Sequence, residues 1–571
     1  MHYFFYLSAA LPAPYPVSGF FKTIKLSMRS TFITLFFTTC LIPLFAQNNA
    51  SKITGNLMSN GNFFITDEKI GATGTPQYDY QKFGAESWLN LNYSNWGFDM
   101  GVRFDLFNNS NLLNPTGSFS DQGIGRWFIH KKVNKFDISG GYLYDQIGSG
   151  MIFRAYEERS LMIDNALYGV KVGYEINDNW RVRAFTGKQK QQFGTYEPVF
   201  RGAAIEGFIQ FDSTAKLTLA PGAGVVARTW GNDAVGRIVS EIATYQPVDS
   251  TGAQYNTYAA TVYNTLSYGN FTWYIEGAYK SKDVLNNEFL TQATGLKGKL
   301  VNTAGYNLYS SVSWAKGKFG GTLEAKRTKD FRFRADPFLI GVQGQVNYLT
   351  PMARQNTYRL TARFSPNTQE LGEQAVQLDL KYALKKNITL GLNFSDIQNL
   401  DGRELYREIA PEVLYKYKRK WQALVGLQVL KYDIFTYQGK GDYVNAITPY
   451  TEVLYKFTPK RSLRVEASYL ATEEEFGSWA FALAEVGLAP HWLFYVSDMY
   501  KVKHQNASSL PQEKVKFDGL HYPSVGVVYS YKSNRVSLAY VKQVEGINCA
   551  GGICRYEPTF HGVRMQVNSS F

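Results

Sequence analysis

Apolar and polar residues alternate with a period of two along most of the chain, in runs that end at short polar turns. In the last run Val563, Met565, Val567 and Phe571 share one face, and Arg564, Gln566, Asn568 and Ser570 share the other. Phe98, Met100, Val102, Phe104 and Leu106 alternate with Asp99, Gly101, Arg103 and Asp105, and Leu463, Val465, Ala467 and Tyr469 with Arg464, Glu466 and Ser468. The pattern predicts an all-β protein of antiparallel strands. Two architectures share it. A soluble sandwich turns the apolar face inward, whereas a barrel in lipid turns it outward and lines its lumen with the polar face.

Three features favour the barrel. The chain ends on an aromatic residue, Phe571, on the apolar face of the final strand, as in the C-terminal signal read by bacterial barrel-assembly machinery. Connections alternate between short turns, such as Asn177-Asp178-Asn179 and Lys316-Gly317-Lys318, and longer loops. Trp96, Trp180, Trp314, Trp421 and Trp492 recur near strand ends, where an interfacial aromatic girdle lies. The expectation is one large single-chain transmembrane antiparallel β-barrel. Even parity of strands is reached when Leu339 to Tyr348 forms a strand of its own before another beginning near Thr357. That makes about 26 strands, within a range of about 22 to 26.

Composition agrees. The chain carries 40 Tyr, 39 Phe and 50 Gly against 19 Pro, which suits many strands and tight turns. Beyond the first fifty residues there is no apolar run of the roughly 18 residues that a spanning helix needs. Residues 1–46 read as an export signal: Lys22, Lys25 and Arg29 precede the apolar stretch Phe32 to Leu44, with cleavage before Gln47. Met28 is an alternative start. Residues 47–571 then form a single barrel in the bacterial outer membrane. The first strand begins near Lys52, which leaves no room for a plug domain ahead of the barrel.

Removing the signal lowers the formal net charge from +13 to +10. The remaining bases are dispersed among carboxylates and aromatics, so no nucleic-acid partner is expected. Six histidines, widely separated, form no ligand or catalytic spacing, and no nucleophile elbow or phosphate-binding loop is present. No enzyme, metal or cofactor is expected.

A wall of this size, with strands about 4.8 Å apart and tilted about 40°, encloses a hole about 50 Å across. Inward loops or a lumen-filling partner are needed to close it. One loop suits the first option: Gly148-Ser149-Gly150 permits a sharp reversal, and Arg154, Glu157, Glu158, Arg159 and Asp164 then line a constriction. The competing reading leaves this loop outside, in solvent. A second cluster, Lys326, Arg327, Lys329, Arg332 and Arg334, is either a basic vestibule or a patch for lipopolysaccharide phosphates. Cys549 and Cys554, spaced C-x4-C in the last loop of an exported chain, predict a disulfide.

The segments E-G-I-N-C-A-G-G-I-C-R-Y-E-P, from Glu545 to Pro558, and G-S-G-M-I-F-R-A-Y-E-E-R, from Gly148 to Arg159, resemble an uncharacterised outer-membrane barrel family of Bacteroidota with a C-x-G-G-x-C-R surface loop. The resemblance implies the compartment, the single barrel and a disulfide loop at the cell surface. It implies no activity. The sequence reading is a channel or transporter across the outer membrane. The alternative is a non-transporting scaffold or assembly partner of a surface or secretion complex. Expected partners are outer-membrane lipid and lipopolysaccharide, the barrel-assembly machinery, and a lipoprotein or other lumen-filling partner.

Overall fold

The computed structural model describes Lys52–Phe571, apart from residues 212–215, 340, 505–514 and 551–552, and it describes no side chains for 547–550 and 553–554. The export signal expected over residues 1–46 lies outside the described residues. Twenty-four antiparallel strands form one closed wall. Each pairs with its neighbours in chain order, and the first strand, Lys52–Phe64, closes the ring by pairing with the last, Phe560–Ser570, in register from Asn56 opposite Ser570 to Phe64 opposite Gly562. Closure leaves no edge with unpaired backbone groups, which the hydrocarbon of a bilayer demands. Phe571 completes the seam. Its backbone exchanges hydrogen bonds with Gly55, and its ring covers Gly55 so closely that a Cβ there would lie 2.5 Å from it.

Alternation assigns the two faces. Val170, Val225, Val262, Leu308, Val425 and Val496 point outward, each more than half exposed. Such residues are buried in a soluble sandwich, so this band is the lipid-facing surface. Trp96, Tyr268, Trp314, Phe457, Trp492 and Tyr531 are exposed at the end that carries the short turns, where they form an aromatic girdle. Among the described residues no helix is long and apolar enough to cross a membrane; the strands cross it. The protein is an integral outer-membrane β-barrel.

The strand count is two below the central expectation because residues 330–371 contribute nothing to the wall. The wall strands Phe319–Lys329 and Gly372–Lys385 pair directly with each other, and among the described residues the segment between them contains only an isolated bridge, Arg334 to Gln345. The strand expected over Leu339 to Tyr348 is irregular chain, and so is the one expected from Thr357. Pro337, Pro351 and Pro366 interrupt this segment, but they do not by themselves keep it out of the wall, since Pro221, Pro411 and Pro449 lie within wall strands.

Candidate functional site

Two connections from the long-loop end fold into the lumen. The first, residues 144–166, reverses at Gly148 and Gly150. Gly148 has φ +56°, and a Cβ there would lie 2.5 Å from the carboxylate of Glu276, so glycine is required both for its backbone and for its space. That carboxylate accepts hydrogen bonds from the backbone N–H of Ser149 at 2.9 Å, the Tyr274 hydroxyl at 2.6 Å and the Thr261 hydroxyl at 2.8 Å. On either side of the reversal, Ile147 before it and Met151, Ile152 and Phe153 after it are buried against the inner wall, with the Phe153 ring 4.5 Å from that of Phe185.

The charged residues expected at a constriction divide into three roles. Glu157 and Asp164 converge on Arg103 of the wall, whose guanidinium reaches Asp105 at 2.6 Å, Glu157 at 2.7 Å and Asp164 at 2.7 Å. Arg159 braces Glu157 at 2.7 Å, and Lys190 pairs with Asp164. Burial works against ionisation of Asp164, but Lys190 and Arg103 outweigh it and hold the carboxyl below the usual range. Glu158 caps the short turn Arg159–Leu161 by accepting from the Ser160 N–H. Arg154 joins no ion pair among the described residues and is sandwiched between the rings of Tyr156, 4.3 Å away, and Tyr348, 4.1 Å away. Arg103, Asp105 and Lys190 belong to this network but lie on wall strands, where nothing in their local spacing distinguishes them from other lumen-facing residues.

The second connection, residues 330–371, is the larger. Its stem is closed by backbone hydrogen bonds from Asp330 to Leu371 and from Phe331 to Glu370. Glu370 is the hub of the stem, accepting from Arg334 at 2.8 Å, Arg332 at 3.0 Å and the Gln345 amide at 3.1 Å. Burial opposes its ionisation, yet the two guanidinium groups hold its carboxyl below the usual range. Farther along, Arg354 reaches the wall residues Glu412 at 2.7 Å and Tyr450 at 3.0 Å, Asn356 reaches Glu408, and Gln428 of the wall donates to the Thr361 carbonyl. Arg363 pairs with Glu475 and lies over the ring of Trp479. Phe331, Phe333, Leu360 and Phe364 are fully buried and join Phe200, Tyr406, Tyr432 and Trp479 of the wall in one hydrophobic core inside the barrel.

The two connections hold each other. The Arg154 N–H donates to the Val346 carbonyl at 2.8 Å, that of Tyr348 to Gly150 at 2.9 Å, and the Asn165 amide to Gln345 at 3.0 Å. Together they form a plug. A cavity of about 120 Å³ remains where they meet the wall, lined by Trp88, Arg103, Asp164, Lys190, Phe193 and Gly344.

The basic cluster of the sequence does not form a single patch. Lys326, Arg332 and Arg334 point inward and are paired, Lys326 with Glu373, Arg332 with Glu288 and Glu370, and Arg334 with Glu370. They anchor the plug instead of lining an open vestibule. Arg327 and Lys329 are exposed on the opposite, outward face. The two cysteines occupy a hairpin of Gly546–Ala550 and Ile553–Glu557 in which the Cys549 backbone stands opposite that of Cys554; their side chains lie outside the described residues. The first arm of that hairpin rests on the Arg159–Leu161 turn. No cluster of metal-ligating side chains occurs among the described residues.

Residues 28–571 match a family of unknown function (DUF6029), and the chain belongs to that family. No curated protein matches it. Among solved structures it is similar to the P pilus usher (PapC) translocation pore, with 10% identity, a TM-score of 0.40, and coverage of 91% of this chain and 99% of the other. A second similar structure is the E. coli P pilus tip assembly intermediate PapC-PapD-PapK-PapG, with 10% identity, a TM-score of 0.46, and coverage of 93% and 62%. A third is the siderophore receptor PirA from Pseudomonas aeruginosa, with 8% identity, a TM-score of 0.39, and coverage of 92% and 81%. Likeness at this level bears on neither substrate nor mechanism.

Proposed function

We propose that the protein is a gated conduit across the outer membrane, closed at rest by its own plug. One observation carries this reading: lumen-facing polar residues of the wall, including Thr261, Glu276, Lys280, Asn307, Glu408 and Thr448, are buried beneath the two inserted connections. A permanently open porin leaves such residues wet. A gate, by contrast, needs an element with two packings of similar free energy. The plug meets the wall through ion pairs and hydrogen bonds that water can replace, such as Arg354 with Glu412 and Tyr450, and through the apolar core around Phe331, Phe333 and Phe364, whose exposure a gating stimulus would have to offset.

Conductance in a planar bilayer tests the proposal. The wild type is expected to be silent at rest, and a variant lacking residues 332–369, with the closing stem retained, is expected to give steady openings. Silence from both, with heat-modifiable mobility showing that each is folded, removes the conduit reading.

A non-transporting scaffold is the second reading, and the extracellular side favours it. The strands Phe271–Thr291 and Lys297–Lys316, with 21 and 20 residues, are about twice the length a membrane crossing requires. They raise a hairpin whose tip exposes Phe289 and Leu296, beside Val248 at 79% exposure. A stoichiometric surface lipoprotein co-purified from native membranes supports this reading. Export by residues 1–46, a disulfide between Cys549 and Cys554, and reading of Phe571 by the assembly machinery belong to the same proposal.

A further inference from the structure

The outward face of the barrel carries cations of two kinds at the height where the apolar band ends. On one side they are neutralised: Arg407 pairs with Asp396 at 2.7 Å and with Glu404 at 3.0 Å, and Lys431 with Glu404 at 3.4 Å. On the other side they are not. Lys188, Arg201, Arg327 and Lys329 are exposed and form no ion pair among the described residues. Arg327 contacts only neutral groups, the Tyr306 hydroxyl at 3.1 Å and the Gln374 amide oxygen at 2.8 Å, and Arg201 donates to the Thr229 hydroxyl at 3.1 Å.

Their orientation follows from their neighbours. Gln189 and Lys190 beside Lys188, Phe200 beside Arg201, and Lys326 and Thr328 beside Arg327 are buried in the lumen, so the exposed partners of the alternation face the membrane. Lys188 and Arg327 are each eight residues from the turn end of their strands, Trp180–Gln191 and Phe319–Lys329. At about 2.5 Å of membrane depth per tilted residue, that places them about 20 Å above the turns, close to the far edge of an apolar band about 25 Å tall.

Tyrosines accompany these cations. Tyr168 stands directly opposite Lys188, and Tyr279, Tyr306 and Lys329 form one continuous cross-strand row. The carboxylates of this arc are turned elsewhere: Glu206, Glu276, Asp283 and Glu324 are engaged with lumen-side partners, Glu197 with the start of the helix Asn232–Ile242, and Glu288 with Arg332. Unneutralised cations among interfacial tyrosines, facing the outer leaflet, are a surface that recognises lipid phosphate.

We propose that the arc from Trp180–Gln191 to Phe319–Lys329 is a docking surface for phosphate-bearing glycolipid of the outer leaflet, held by Lys188, Arg201, Arg327 and Lys329. The surface fixes the plug-bearing side of the barrel in its membrane, and it stands whether or not the lumen conducts. The test uses the full barrel in nanodiscs of phosphatidylcholine mixed with a phosphorylated glycolipid, with retained lipid read by native mass spectrometry after mild delipidation. Wild type is expected to retain the glycolipid at least about tenfold over the K188Q/R201Q/R327Q/K329Q variant, and R407Q/K431Q to match wild type. Enzymatic dephosphorylation of the glycolipid, applied to unmodified protein, is expected to abolish retention and requires no variant to fold. Equal retention by the fourfold variant, equal loss in R407Q/K431Q, retention of the dephosphorylated lipid, or displacement of the lipid by millimolar inorganic phosphate would each overturn the proposal.

Discussion

The two halves of the lumen are built from the same alternating strands yet present opposite environments. Along the single strand Arg461–Leu470, the exposure of lumen-facing side chains falls from 29% at Arg464, near the turns, to 5% at Glu466 and 0% at Leu470. Its neighbour Tyr443–Thr458 repeats the gradient, with Glu452 at 18% and Thr448 at 0%. The lumen face stays polar through Arg464, Glu466 and Ser468 and turns apolar only at Leu470. The difference arises because residues 330–371 fill the outer half with an apolar core, while the inner half remains a wet vestibule. A barrel face that is polar in sequence is therefore not a pore by that fact alone. What stands against it decides whether its charges are solvated or buried.

Removing residues 332–369 should abolish the contrast, and this is the largest effect expected: outer-half residues become as wet as Arg464, and a silent bilayer gains wide steady openings. Arg103→Ala should act next most strongly, because Asp105, Glu157 and Asp164 would then face one another without their common cation. Losing one member of a buried ion cluster costs about 3–5 kcal/mol. The expected result is frequent partial openings as residues 144–166 come loose, and a silent trace from this variant would dismiss the Arg103 anchor.

Acid should loosen the outer half through Glu370. Its carboxyl titrates below the usual range in the folded protein, so its contribution is complete above that range and is lost as pH falls through the lowered value. Openings should appear only under acid conditions in the wild type. In Glu370→Gln they should occur at neutral pH with a flatter pH response, and an unchanged pH profile in that variant would assign the acid effect to other carboxylates.

Cysteine labelling sharpens the comparison without disturbing the plug. A charged thiol reagent added from the periplasmic side should modify Glu485→Cys, whose native side chain is 28% exposed in the vestibule, far faster than Thr448→Cys, which is fully buried. Equal rates would show that the plug does not divide the lumen. The smallest effect is expected at the surface. Cys549→Ala should leave the barrel assembled while increasing protease cleavage of the hairpin over the Arg159–Leu161 turn, and unchanged cleavage would argue against a disulfide there.

The class of fold was legible in the residues because a transmembrane barrel leaves a local record: every strand alternates, every short turn is polar, and aromatics mark the interfaces. Arg103 and Asp105 fell on the polar face and Phe104 on the apolar one, as alternation requires. The reversal at Gly148 was legible as well, because glycine there answers a local backbone need. The plug as a whole was not. Residues 330–371 read as strands over Leu339 to Tyr348 and from Thr357, and nothing local to them says that the chain turns into the lumen instead. The five basic residues from Lys326 to Arg334 read as a single cluster, although alternation sends Lys326 to Glu373 inside and Arg327 to the membrane outside.

The sequence by itself determined the elements, the faces of each strand and the compartment, since each depends on neighbours two to a few residues apart. Only the tertiary structure decided that the lumen is filled, that Glu370 and Arg103 are its anchors, and which cations remain unpaired at the rim. Those outcomes depend on contacts such as Arg103 with Asp164 or Arg363 with Glu475, separated by 61 and 112 residues. Local periodicity holds no record of such pairings, because they form only once the closed wall brings distant segments to the same depth.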